Sequence, residues 1–154
     1  MESKIATDLE QSKKLLELGI DADTADMHWE SISDDDHRLG LFTAKETKES
    51  LERMQYTLKT TFNVKLSPAW SLSALMNLLP SELSLPDMYG GTIKYEIRIR
   101  KYSHTNELYL YQIAYATNQG LSKSWHDMVN TSEQEDLLDT VFEMIVYLKE
   151  NKLI

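Results

Sequence analysis

The chain has 154 residues, 42% hydrophobic and 27% charged, with a formal net charge of −9 and no cysteine. That length suits one ordinary domain with a core of its own. The missing cysteine excludes disulfides and thiolate chemistry, and the acidic balance disfavours general binding to phosphate backbones.

No apolar run approaches the roughly 20 residues of a membrane helix. The opening residues MESKIATDLEQSKK lack the apolar stretch of a secretory signal. A cytoplasmic protein with no membrane attachment is expected. The charge is uneven, with residues 1–50 carrying −7 of the −9; solubility is the ordinary reason for such an excess.

Thr7-Asp8-Leu9-Glu10 reads as a capping box, with the Thr7 hydroxyl at the cap and Glu10 three residues later. A helix to about Leu18 follows, with Leu9, Leu16 and Ile20 near one face and Gly19 placed to end it. A short second helix is expected over Thr24 to Trp29. The pair resembles a helix-turn-helix in outline, but its second helix presents Asp23, Asp26 and Glu30, the wrong sign for reading DNA. A calcium loop counted from Asp21 fails too, because its fifth and sixth positions are Ala25 and Asp26.

Ser31 to Gly40 reads as a solvated loop holding Asp34, Asp35, Asp36 and His37. Consecutive carboxylates point in different directions and do not converge on one ion unaided, so no metal or cofactor is implied. Thr43 to Phe62 reads as a helix with Leu51, Met54, Leu58 and Phe62 on one face. The β-branched cluster Thr57, Thr60 and Thr61 leaves a strand near Thr60 to Leu66 as the alternative. In Pro68–Pro80, Ser71 or Ser73 caps a short helix whose stripe is Leu72, Leu75, Met76 and Leu79, and Trp70 is expected in the core. Ser81 to Gly91 reads as a loop.

The runs SKKLLELGIDADTADMHW (Ser12–Trp29) and PAWSLSALMNLLP (68–80), with the C-terminal FEMIVYLKENKLI, resemble a group of short uncharacterised bacterial proteins found on prophages and other mobile elements. The resemblance implies a genomic setting and carries over no catalytic residue.

Thr92 to Thr117 reads as a hairpin around which the rest is organised. Ile93, Tyr95, Ile97 and Ile99 alternate with Lys94, Glu96, Arg98 and Arg100, the period of a half-buried strand. In the return strand Tyr109, Tyr111, Ile113 and Tyr115 share one face. A third strand over Leu121 to Asp127 makes an antiparallel meander. Ser132-Glu-Gln-Glu135 reads as a second capping box, opening a helix with the stripe Leu137, Leu138, Val141, Met144, Ile145 and Leu148.

The expected fold is α+β over residues 1–154 as one domain. A meander of about three strands packs on the C-terminal helix and the short central helix, and residues 1–40 form an acidic helical segment.

Three functions are compatible with these residues. The first is a non-enzymatic protein-interaction module or adaptor, whose acidic surface of Asp21, Asp23, Asp34, Asp35 and Asp36 mimics nucleic acid toward a basic partner. The second is single-stranded nucleic-acid binding through Lys94, Arg98, Arg100 and Lys101, with Lys94, Arg98 and Arg100 on one face and Tyr109, Tyr111 and Tyr115 as their expected neighbours. The third is an enzyme assembled from Asp34, Asp36, His37 and His126, for which no recognisable catalytic constellation exists in the sequence. The 8 tyrosines and 7 methionines suit a homodimer interface as well as a core.

Overall fold

Asp8, not Thr7, begins the first helix. Its carboxylate accepts the Gln11 N–H at 2.8 Å while the Gln11 side chain accepts the Asp8 N–H at 3.1 Å, so the expected capping box is present one residue later than read. In the computed structural model, which describes residues 4–33, 36–41, 53, 56–62, 65–87, 89–103, 109–117 and 126–154, helix α1 runs Leu9–Glu17. Gly19, with φ +76°, ends the helical turn as its sequence position implied. The buried face is Ser12 and Leu15 with Ile20 beyond the helix, whereas Leu16 is 40% exposed. The reason is Thr7: its hydroxyl is buried and lies 2.8 Å from the Ser12 hydroxyl, which turns that side of α1 inward.

The chain divides into two compact units, Lys4–Ala74 and Leu75–Ile154. In the first, the expected helix over Thr24 to Trp29 is replaced by a 3-10 turn, Ala22–Thr24, followed by strand β1, Met27–Ser33. The Asp21 carboxylate caps the turn by accepting the Asp23 N–H at 3.0 Å. The expected loop Ser31 to Gly40 is instead the meeting of β1 with β2, Asp36–Leu41; residues 1–40 are therefore not a helical segment throughout. Strand β3, Lys65–Ala69, pairs with β1 on its other side, giving an antiparallel sheet of order β2-β1-β3. Pro68 sits within β3, tolerated because β3 is an edge strand of that sheet. Gly40 lies opposite His28, and a Cβ there would fall 2.6 Å from the His28 ring; glycine lets the buried imidazole lie across the neighbouring strand.

Of the expected helix over Thr43 to Phe62, Arg53, Tyr56 and Thr57 are helical and Leu58–Phe62 form a π turn. The rest, Leu51 and Met54 included, lies outside the described residues. The threonines that weakened the reading bond back to the helix instead, Thr57 Oγ1 to Arg53 O at 2.9 Å and Thr60 Oγ1 to Tyr56 O at 2.8 Å. The alternative strand near Thr60 to Leu66 exists later in the chain, as β3.

Ala6, Met27 and Ala69 form a small core in this unit, with Trp29 and Leu39 against it. Long-range hydrogen bonds tie its ends together. The Trp70 N–H reaches Thr7 Oγ1 at 3.0 Å, the Thr7 N–H reaches Trp70 O at 2.9 Å, and the Trp70 indole donates to Thr24 Oγ1 at 2.9 Å. The Asp26 carboxylate accepts both the Ser71 N–H at 2.8 Å and its hydroxyl. Trp70 is fully buried, as expected of a core residue. Helix α2, Leu72–Leu78, starts at Ser71, whose Oγ accepts the Ala74 N–H at 3.2 Å. The boundary between the units falls inside α2.

The second unit holds the expected hairpin, β5 at Thr92–Ser103 and β6 at Tyr109–Thr117. Its third strand is β7, His126–Asn130, later than the predicted Leu121 to Asp127, of which residues 121–125 lie outside the described residues. The predicted loop Ser81 to Gly91 contains a further strand, β4 at Glu82–Pro86, which turns Leu83 and Leu85 to the same face as Tyr95 and Ile93. Asp87 closes the β4–β5 turn by accepting the Tyr89 and Gly91 N–H groups at 2.8 and 2.6 Å. The sheet order is β4-β5-β6-β7, all antiparallel.

Both faces of β6 are covered near its end. Ile113 and Tyr115 on one face and Ala114 and Ala116 on the other have no exposure, the arrangement expected of a central strand. Helix α3, Leu137–Glu150, lies against β6 and buries Leu138, Val141, Met144, Ile145 and Leu148, the stripe read from the sequence except for Leu137, which is only part-buried. Its cap is Asp136, which accepts the Leu138 N–H at 2.7 Å; the capping box expected at Ser132 is not formed. The protein is α+β, with two antiparallel sheets rather than one meander.

Candidate functional site

Asp21 and Asp23 share one exposed turn, where Asp21 works as a backbone cap. Asp34 and Asp35 lie outside the described residues, and Asp36 and His37 are placed only as backbone in β2. His126 likewise is placed only as backbone, at the start of β7. Among the described residues no group of three or more histidines and carboxylates could hold a metal ion. Nothing in the sequence singles out His28, which is buried with Nε2 at 3.1 Å from Glu30 Oε1.

The register of the hairpin decides the basic and aromatic candidates. Arg98 pairs with Ala114, Arg100 with Gln112, Ile97 with Tyr115, Lys101 with Tyr111 and Ser103 with Tyr109. Paired residues share a face, so Tyr109, Tyr111 and Tyr115 lie on the face opposite Lys94, Arg98 and Arg100. The expected neighbourhood of those three cations with those three tyrosines is not formed. Lys94 instead pairs with Glu82 across β4 at 2.9 Å. Tyr115 is buried and donates its hydroxyl to Pro80 O at 2.5 Å; burial pushes its phenol well above the ordinary range. Tyr115 is thus a core residue and no part of an exposed surface.

Lys101 is the cation that does meet the tyrosines. Its Nζ stands 3.8 Å from the Tyr109 ring centre and 5.7 Å from that of Tyr111, within reach of a cation–π attraction. Because Arg100 and Lys101 are adjacent, they point to opposite faces; only the pairing register shows which one meets the rings. On the other face Gln112 Oε1 accepts from Arg100 at 3.3 Å and from the Tyr102 hydroxyl at 3.2 Å, while its amide donates to Thr131 O at 3.1 Å. Around this far part of the hairpin Ile99, Tyr109 and Tyr102 are 46%, 44% and 38% exposed.

The two outer edges of the hairpin differ. The line of β6 is continued beyond β7 by Thr131, whose N–H reaches Ile113 O at 2.9 Å, and by Gln134, which exchanges two backbone bonds with Tyr111 at 2.7 and 3.0 Å. On the β5 side, pairing with β4 ends at Glu96, and one further bond joins the Ile97 N–H to Ser81 O at 3.2 Å. Among the described residues no strand pairs with that edge of β5 past Ile97.

In the N-terminal unit an open groove of about 420 Å³ is lined by Asp8, Leu9, Glu10 and Trp29; the Trp29 indole is committed to Thr7 O at 2.9 Å. In the C-terminal unit the Glu143 carboxylate accepts the Ser132 N–H at 3.0 Å, the Ser132 hydroxyl at 2.7 Å and the Gln134 amide at 3.1 Å. Burial acts to raise the Glu143 carboxyl, but these three donors outweigh it and hold the group below its ordinary 4.5.

That depression has a sign. The folded chain favours the carboxylate, so it binds fewer protons than the unfolded chain, and the stabilisation is present above about pH 4.5 and lost as pH falls through the lower folded value. Glu143→Gln should therefore be less stable than the parent at pH 7, with the gap closing below about pH 4.5, as read by denaturant melts across pH. A gap independent of pH would show that the carboxylate does not anchor Ser132.

Among the described residues no helix is long and apolar enough to cross a membrane. Compared with family models, curated proteins and solved structures, the chain finds no match.

Proposed function

We propose that the protein acts by binding another protein, through the far part of the β5–β6 hairpin. The observation that carries this reading is the exposed Ile99 and Tyr109 on one face, with Lys101 seated over the Tyr109 ring, and the exposed Tyr102 on the opposite face. Aromatic rings with a neighbouring cation are the composition of protein interfaces.

Single-stranded nucleic acid is the second reading, supported by the same Lys101 and Tyr109 stack. Against it stand the net charge of −9 and the separation of Arg98 and Arg100 from the tyrosines.

A photo-crosslinking residue at Tyr109, with Glu133 as an exposed control position, tests the choice in nuclease-treated lysate of the native host. A protein adduct at 109 and none at 133 is the expected result. Adducts that vanish with nuclease would transfer the site to nucleic acid, and equal labelling at both positions would remove the hairpin from consideration.

A further inference from the structure

Among the described residues no strand pairs with the edge of β5 past Ile97, and that edge gives the form of the partner, an inference that rests on the protein-binding reading above. In a strand, the N–H and C=O of one residue point to the same side, and the side alternates from residue to residue. The Ile97 N–H points to the β4 side, where it meets Ser81 O. Ile99 and Lys101 therefore turn their backbone groups to that side too, past the end of β4. Their even-numbered neighbours Arg98 and Arg100 turn theirs to β6. An edge of this kind accepts an added strand, with main-chain bonds supplying affinity and alternating side chains supplying selectivity.

We infer that this edge, from Arg98 to Lys101, receives an extended acidic segment of another protein as an antiparallel fifth strand. The occupant follows from charge. Arg98 and Arg100 lie on one face and Lys101 on the other, so a guest strand meets cations on both faces. Directly opposed unlike charges favour pairing, and like charges oppose it. The guest that fits carries carboxylates opposite Arg98, Arg100 and Lys101 and an apolar residue opposite the exposed Ile99. In the antiparallel register that centres two β5 edges on Ile99, Arg98 of each copy meets Arg100 of the other, a like-charge pairing that disfavours a second copy as the guest.

The probe is a fluorescent peptide of sequence Thr-Glu-Glu-Ile-Glu-Thr, read by anisotropy at low salt against the full chain. Two N-methylated forms accompany it, one blocking the alternate N–H groups that face β5 and one blocking those that face away. The expected result is saturable binding, weakened about tenfold or more by the first pattern and little changed by the second, since each lost hydrogen bond removes about a factor of two to ten. Arg100→Glu with Lys101→Glu should abolish it. Ile99→Pro, which removes an outward N–H that β6 does not use and keeps all three cations, should weaken it like the first methylation; circular dichroism checks that this variant folds, and the methylated peptides give the same answer without altering the protein.

Equal affinity for both methylated forms would reduce the binding to charge attraction and overturn strand addition. So would an absence of binding at about 1 mM peptide, the weak end of specific recognition. In either case a protein adduct at position 109 would leave the broader reading standing, whereas loss of both would remove it.

Discussion

Ile145→Asp should abolish the cooperative unfolding transition of the unit formed by Leu75–Ile154. Ile145 has no exposure and sits on the stripe of α3 with Leu138, Val141, Met144 and Leu148. Burying such a side chain stabilises by about 1.5–3 kcal/mol. Aspartate forfeits that and adds an unpaired carboxylate to an apolar site, costing several kcal/mol more unless it takes up a proton. A domain has about 5–15 kcal/mol in total, so the loss is comparable with the whole. Near-ultraviolet circular dichroism and amide hydrogen exchange over Leu75–Ile154 are the measurements. Tyr147→Asp is the matched control, on an exposed position of the same helix, and should shift stability by no more than about 0.5 kcal/mol. A soluble Ile145→Asp variant that unfolds cooperatively would place the buried face of α3 elsewhere.

Trp70→Ala should be the costliest truncation in the N-terminal unit, at about 3–5 kcal/mol. The indole is fully buried, and its Nε1–H is bonded to Thr24 Oγ1 at 2.9 Å. Removal leaves a cavity and strips the Thr24 hydroxyl of that donor, loosening the Ala22–Thr24 turn. Hydrogen exchange should lose protection first around Thr7, Thr24 and Met27. Trp70→Phe keeps most of the ring and loses the N–H, so it should cost about 1–3 kcal/mol. An alanine variant within 1 kcal/mol of the parent would mean that the surroundings collapse onto the gap or that the indole carries little of this core.

Much of the C-terminal unit was legible in the sequence because its signals are local. The apolar stripe of α3 repeats at helical spacing, and β5 alternates over most of its length. β4 was missed because five residues ending in Pro86 resemble a connecting loop, and its two inward leucines become a strand only beside Ile93 and Tyr95. The sheet of the N-terminal unit was hidden for a related reason. Met27 pairs with Leu41 on one side and Ala69 on the other, partners that no short window contains, while the aspartates at 34–36 suggest a loop. Both caps were misplaced because several hydroxyls and carboxylates compete there; Thr7 and Ser132 are engaged by more distant groups, Trp70 and Glu143.

The candidate surface was half legible. Its residue types stand out in the sequence, and the hairpin carrying them was expected. The faces were not readable, because a one-residue change of pairing moves every side chain to the other side. Lys101 and Tyr109 became partners, and Tyr115 became core, only once the register was known. The edge of β5 that no strand pairs with among the described residues was still less accessible: it depends on β4 being shorter than β5.

The bonds joining Thr7 to Trp70 and Asp26 to Ser71 set an order of events during synthesis. They span 63 and 45 residues. At about 5–20 residues per second, the ribosome delivers Trp70 roughly 3–13 s after Thr7. Helix α1 and the β1–β2 pairing need only nearby chain and can form in that interval. The buried hydroxyl of Thr7 and the carboxylate of Asp26 stay in water until residues 69–71 emerge. These contacts of the first unit therefore wait until a single short segment supplies the third strand, the tryptophan and the serine together.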